Sequence, residues 1–321
     1  VNLSETQSGL VVTGTSTAGA TMLVTLQGAT QSATVGSNGT WSVTYPSGTI
    51  AAGEYNSSLT ATTTDAAGNT STSTHSFRVD TVTQVAFSGT VAGNDIVNAA
   101  EAAGGVTMTG TAQVGSSVSV VWNGTTFAAT AGSDGTWAVT FPAGAFQSST
   151  YSSTATVTAT DVAGNTATAS RSILVDTQTS VGVNAGQVGG DNVISGAEVR
   201  SGVALTGTAE AGATLGVTFE GVTRTVTAAS NGTWTASFAA AEIRPGTYSS
   251  TVSVTATDLA GNMASTTHAL NVDTQVTPFS RATLPTGSDN ILNQFEAGQG
   301  LTVTGVVEPG STVVARFGNG A

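Results

Sequence analysis

The chain has no cysteine and no lysine, two histidines and six prolines, and charged residues are only 8% of its 321 positions. Without cysteine there is no disulfide framework of the kind that staples small exported domains, and no thiolate zinc site. All seven basic residues are arginine and stand against 19 acidic ones, a net charge of −12 with a pI of about 4.2. That balance argues against nucleic-acid partners, which need basic patches, and against docking on anionic lipid. It suits metal cations. No run of about 18 apolar residues occurs, and no signal-peptide pattern. Two histidines without cysteine or lysine leave few nucleophiles and bases. No glycine-rich stretch has the strand-to-helix setting of a phosphate loop. An enzyme is therefore not expected. Low charge accompanies disorder when apolar content is also low, but 39% of this chain is apolar.

What is present recurs. Asn-Gly-Thr-Trp at 38–41, Asp-Gly-Thr-Trp at 134–137 and Asn-Gly-Thr-Trp at 231–234 are 96 and 97 residues apart. Asp65-Ala-Ala-Gly-Asn69, Asp161-Val-Ala-Gly-Asn165 and Asp258-Leu-Ala-Gly-Asn262 keep these intervals, as do the Val-Asp-Thr triplets ending at Thr81, Thr177 and Thr274. Glu5, Glu101, Glu198 and Glu296 step by 96, 97 and 98. Such a period is too long for a solenoid repeat of about 20–50 residues and matches a self-standing domain. The expected units are 1–81, 82–177, 178–274 and 275–321, the first lacking its opening segment and the last stopping midway. A longer parent array is the expectation.

Within the third unit, 203–209, 214–220, 222–227, 233–238, 250–257 and 264–272 alternate apolar and polar residues and are rich in β-branched side chains. This period of two reads as half-buried antiparallel strands. Asn-Gly before Thr-Trp is read as a two-residue type I′ hairpin, in which both central residues need φ > 0. No stretch has a sustained helical period; 98–103 and 239–243 amount to single turns. About seven short strands in 97 residues predict an all-β chain of tandem immunoglobulin-like β-sandwiches, arranged as an elongated rod. Trp41, Trp137 and Trp234 are read as core residues. Trp122 alone breaks the tryptophan pattern.

Tandem units of this length carrying Asp-x-x-Gly-Asn, Val-Asp-Thr and an Asp-Asn…Glu segment resemble the bacterial Ig-like domains of giant secreted adhesins. These are the Bap-type and RTX-type proteins of Gram-negative bacteria. The resemblance covers the whole chain. It implies type I secretion, attachment at the cell surface, a part in biofilm formation, and calcium between domains.

Thirteen of the 19 acidic residues fall at recurring positions, which a solvated surface charge has no reason to do. The series are Asp65/161/258, Asp80/176/273, Glu5/101/198/296, and the acidic member of Asn94-Asp95, Asp191-Asn192 and Asp289-Asn290. Turn chemistry accounts for Asp and Asn, but not for the glutamates. Strand direction brings three carboxylates of one domain to its C-terminal pole, opposite the Asp-x-x-Gly-Asn hairpin of the next. A divalent cation would relieve their mutual repulsion. Calcium accepts six to eight oxygens in loose geometry, whereas zinc favours Cys and His, and magnesium keeps its waters. His75 and His268 share a position with Arg171 and are read as strand-face residues.

The expected calcium ligands group by junction. Glu5, Asp80 and Asp161 belong to the first. Asn94, Asp95, Glu101, Asp176 and Asp258 belong to the second, and Asp191, Asn192, Glu198 and Asp273 to the third. Asp65 faces a preceding domain; Asp289, Asn290 and Glu296 face a following one. The expected partners are calcium, neighbouring Ig-like domains, and surface glycans or proteins reached through other parts of the parent protein. The resulting function is a structural stalk. The alternative is a glycan- or protein-binding Ig-like module.

Overall fold

In the first three periods the alternating segments become strands because every second side chain is apolar and needs one face to bury. The computed structural model describes residues 1–184 and 190–276, together with 291, 293–300, 302, 305–308, 310–314 and 316. Two compact units result, Val1–Gln178 with the first and second sandwiches and Thr179–Ala321 with the third. The segment expected to form a fourth domain lies mostly outside the described residues.

The second sandwich shows the plan. Its smaller sheet holds β7 (Val85–Phe87), β9 (Val106–Ala112) and β12 (Thr136–Phe141). The larger sheet is β11-β10-β13-β14-β8, made of β8 (Ile96–Val97), β10 (Ser117–Trp122), β11 (Thr125–Thr130), β13 (Thr150–Thr160) and β14 (Thr166–Asp176). The third sandwich repeats this with three and five strands, and the first pairs a two-stranded with a four-stranded sheet. β9 is buried at every other residue, the signature of a sheet with one wet face. Each sandwich has its own apolar cluster.

The tryptophans are core residues, at 9%, 3% and 2% exposure for Trp41, Trp137 and Trp234. Each stands across the strand pair from a glycine, at Gly14, Gly110 and Gly207. A Cβ on Gly110 would lie 2.2 Å from the Trp137 ring and 2.1 Å from the Ala86 carbonyl oxygen. The indole occupies the space a side chain would fill, so Trp and Gly recur together. Trp122 is fully buried, edge-on to Phe141 and Phe146 at 5.3 and 5.0 Å. It fills the core place of Leu26 and Phe219, one period either side, and presents nothing to a ligand.

The Asn-Gly expectation needs correction. Gly39, Gly135 and Gly232 have positive φ, but Asn38, Asp134 and Asn231 do not, so none of these turns is type I′. β3 (Ala29–Thr34) and β4 (Thr40–Tyr45) also lie in different sheets and form no hairpin. The side chain of Asn38 accepts hydrogen bonds from the Thr40 amide (3.1 Å) and hydroxyl (2.8 Å). A carboxylate does this equally well, which is why Asp134 can replace asparagine. Among the true hairpins, two consecutive positive φ values occur at Gln27-Gly28, Asn123-Gly124 and Glu220-Gly221.

β13 and β14 pair over their full length, from Thr150 against Asp176 to Thr160 against Thr166. At about 3.4 Å per residue this hairpin runs about 35 Å. Its Asp161–Asn165 turn and its Asp176 end therefore lie at opposite poles. Val175 is fully buried and Thr177 bonds the carbonyls of Gln147 and Ser149. Val-Asp-Thr thus anchors the strand on both sides of an aspartate held at the pole.

Candidate junction site

Within Val1–Gln178 the 161–165 hairpin of the second sandwich meets the Asp80 end of the first. The hairpin is rigid on its own account. Asp161 accepts from the Asn165 amide through Oδ1 (2.9 Å) and from Asn165 Nδ2 through Oδ2 (2.8 Å). Gly164 takes φ 91°, which glycine adopts without strain. Hairpins 65–69 and 258–262 repeat these bonds, so Asp-x-x-Gly-Asn would recur for local reasons alone.

The joint adds a second use. Asn165 Nδ2 also donates to the Asp80 carbonyl at 2.8 Å and lies 3.4 Å from Asp80 Oδ1. Its Oδ1 accepts from the Leu3 amide (2.9 Å), and Asn2 Nδ2 donates to the Ala163 carbonyl (3.0 Å). Leu3 opens helix α1 (Leu3–Ser8) of the first sandwich. One carboxamide thus ties two carboxylates and a helix start together. Asp80, Asp161 and Asn165 are 9%, 6% and 5% exposed, so little water competes for these bonds. The Gln113 carboxamide reaches the same place. With its nitrogen inward it lies 3.2 Å from Asp161 Oδ2 and Thr83 Oγ1 and 3.3 Å from the Val82 carbonyl. The side-chain and carbonyl acceptors gathered here are all oxygen, which is calcium's donor chemistry and not zinc's.

The expected glutamates and Asp/Asn pairs have local partners. Glu5, Glu101 and Glu198 are capping-box residues, each returning a carboxylate oxygen to the N-cap amide of Asn2, Asn98 or Ser195 at 2.7–2.9 Å. Their recurrence therefore has a local explanation, which the reading of turn chemistry alone omitted. The Asn/Ser-x-x-Glu spacing was the available signal. Asn94 and Asp191 accept from the amide two residues on, at Ile96 (2.9 Å) and Val193 (3.0 Å). Asp95 and Asn192 sit at φ 62° and 68°. Asp95 accepts from the Val91 amide and pairs with Arg171, while Asn192 meets His268 at 2.7 Å. The shared Arg/His position thus follows the Asp/Asn it contacts. Asp176 and Asp273 accept from Thr150 (2.7 Å) and Thr247 (2.9 Å). Asp289 and Asn290 lie outside the described residues, as does the side chain of Glu296.

Asp65 shows what the hairpin bonds do to its carboxylate. The Asn69 side chain, then its amide, hold the carboxyl below its ordinary 3.8. A lowered folded pKa means stabilisation that is complete above the unfolded value and is lost as pH falls through the folded one. An NMR titration of the Asp65 carboxyl carbon should therefore give a midpoint below 3.8, moving toward the ordinary value in Asn69→Ala. An unshifted wild-type midpoint would contradict the hairpin bonds.

Comparison with known proteins places these motifs. A family model described as bacterial Ig-like domain matches residues 4–81, 86–177 and 180–274. Curated proteins return no significant match. Among solved structures, one from a 1.5-MDa bacterial ice-binding adhesin is 28% identical, covering 85% of this chain and 94% of that one at a TM-score of 0.41. A Ca2+-stabilized adhesin with which an Antarctic bacterium reaches out and binds ice is 32% identical over 96% of this chain and 79% of its own, at 0.39. A bacterial immunoglobulin-like domain of the M. primoryensis ice-binding adhesin is 35% identical, covering 28% of this chain and all of that one, at 0.22.

Proposed function

Since the chain belongs to the bacterial Ig-like domain family, we propose that it is a stalk segment of a bacterial cell-surface adhesin. Its units, 1–81, 82–177, 178–274 and the start of another at 275–321, serve to set distance. Divalent calcium stiffens the joints between them. One observation carries this reading: the 161–165 hairpin is hydrogen-bonded into the pole of the preceding sandwich through buried residues that recur in every period. A joint built from repeated parts serves spacing, whereas a ligand site needs only one copy. The 32% identical adhesin described as Ca2+-stabilized supports the choice of cation.

At each joint the carboxylates would supply oxygen ligands and the hairpin would fix their separation. By sequence position, Asp176 with Asp258 repeats Asp80 with Asp161. Calcium is abundant outside cells and scarce in bacterial cytosol, so such a chain would leave the cell flexible and stiffen outside. Sites in extracellular modules bind with Kd of order 10⁻⁴–10⁻³ M. At calcium about tenfold above Kd each site contributes about 1.4 kcal/mol.

Small-angle scattering in EDTA and in millimolar calcium, with a thermal melt of each sample, tests this. A longer maximum dimension and a raised melting temperature in calcium are expected. Identical profiles and melts would remove calcium from the account and leave the recurring acids as turn residues.

A further inference from the structure

Position 113 belongs to another recurring series. Thr17, Gln113, Glu210 and Glu308 each stand two residues before a glycine and are spaced by 96, 97 and 98. The same place is thus neutral in the first two units and acidic in the next two.

At the joint between the first and second sandwiches, one atom of the Gln113 carboxamide lies within 3.3 Å of Asp161 Oδ2, Thr83 Oγ1 and the Val82 carbonyl. A nitrogen there brings two protons to these three acceptors, one of which, the Thr83 hydroxyl, has a proton of its own. An oxygen there would make four converging oxygens whose only protons are that of the Thr83 hydroxyl and the one Asn165 Nδ2 gives Asp161 Oδ2, a set better satisfied around a cation. We propose that Gln113 gives this joint two closed forms. Without a cation its nitrogen faces inward and donates. With a divalent cation the carboxamide turns over and its oxygen becomes a ligand. The proposal rests on the calcium reading for the second form only.

A glutamate at this position has no proton to give at neutral pH. It can serve the cation form and not the cation-free one, and it adds a third carboxylate to the two of Asp80 and Asp161. A groove of about 630 Å³, lined by Asp80, Gln113 and Val162 among others, opens beside the cluster and gives ions and water access. Gln113 is itself only partly buried, so turning its carboxamide disturbs no core packing. The joint carrying Gln113 therefore keeps its geometry when calcium is withdrawn, and residue 113 decides whether it does.

The absence of cysteine makes the test direct. Spin labels at Ser32→Cys and Ala128→Cys, exposed mid-strand positions one period apart, report this joint by pulsed electron resonance distances in the full chain. Labels at Ala128→Cys and Thr225→Cys report the next. In the wild type the first distance distribution should be equally narrow in EDTA and in millimolar calcium. Gln113→Glu should broaden it at least about twofold in EDTA, since unsupported inter-domain contacts default to relative motion, and calcium should restore it. Wild-type broadening in EDTA, a narrow Gln113→Glu joint in EDTA, or no recovery in calcium would each overturn the proposal. The second pair judges the stalk reading separately: a distance indifferent to calcium there counts against calcium stiffening, whatever residue 113 does.

Discussion

Asn165→Ala should uncouple the first two sandwiches while leaving each folded. The side chain donates to Asp161 and to the Asp80 carbonyl, and it accepts from the Leu3 amide. Gln113 can donate to Asp161 but cannot also supply the bonds to the Asp80 carbonyl and the Leu3 amide. Hydrogen bonds to charged groups contribute about 1.5–3 kcal/mol each, and a buried group left without its partner costs about 1–3 kcal/mol. The joint can avoid that cost only by opening and letting water reach the carboxylates. The free-energy loss is therefore capped near the value at which the joint separates, and it appears as motion more than as unfolding. NMR relaxation would read it as two correlation times where the wild type has one. Asn69→Ala is the control, because Asn69 makes the equivalent bonds to Asp65 within its own hairpin. Equal effects of the two variants on inter-domain motion would mean that the hairpin, and not the joint, is what Asn165 supports.

Trp122→Ala should instead unfold one sandwich. Trp122 is fully buried, and its ring stands edge-on to Phe141 and Phe146. Large-to-small changes of this kind cost about 3–5 kcal/mol, from lost transfer energy and from the cavity left behind. That is a large share of the 5–15 kcal/mol stability of a typical domain. The indole nitrogen makes no hydrogen bond, so Trp122→Phe, or Trp122→Leu after Leu26, should cost much less. Calorimetry should resolve the second sandwich melting early in Trp122→Ala, with the third little changed. A melt lowered no further by alanine than by phenylalanine would mean that the core closes around the gap.

How far these positions could be read beforehand depended on the range of the interaction behind each. The alternation in Val203–Ala209 follows from burial on one sheet face, and it is visible in seven residues. The recurring tryptophans were legible as core because each lies inside such an alternation. The Glu5 series was visible as a series, but its cause needed a helix of six residues, too short to show a period of 3.6. Asp95 and Arg171 are 76 residues apart, and only the parallel pairing of β8 with β14 brings them together. Asn165 stands in a recurring motif, yet nothing local distinguishes it from Asn69, which makes the same hairpin bonds. Gln113 and Glu210 were hidden because a series that changes from amide to acid is not found by counting acids.

The sequence by itself determined that this is a cysteine-free array of all-β units, with strands, core and repeat length following from composition, a period of two and a period near 97. Those properties are set by which side chains need burial, and each residue carries that information alone. Tertiary structure decided which carboxylates are spent on helix caps, which on a strand arginine, and which meet an amide from the next sandwich. Such meetings depend on strand register and on one hairpin turn docking against a distant strand end. A side chain has no record of its partner until the chain has closed that distance.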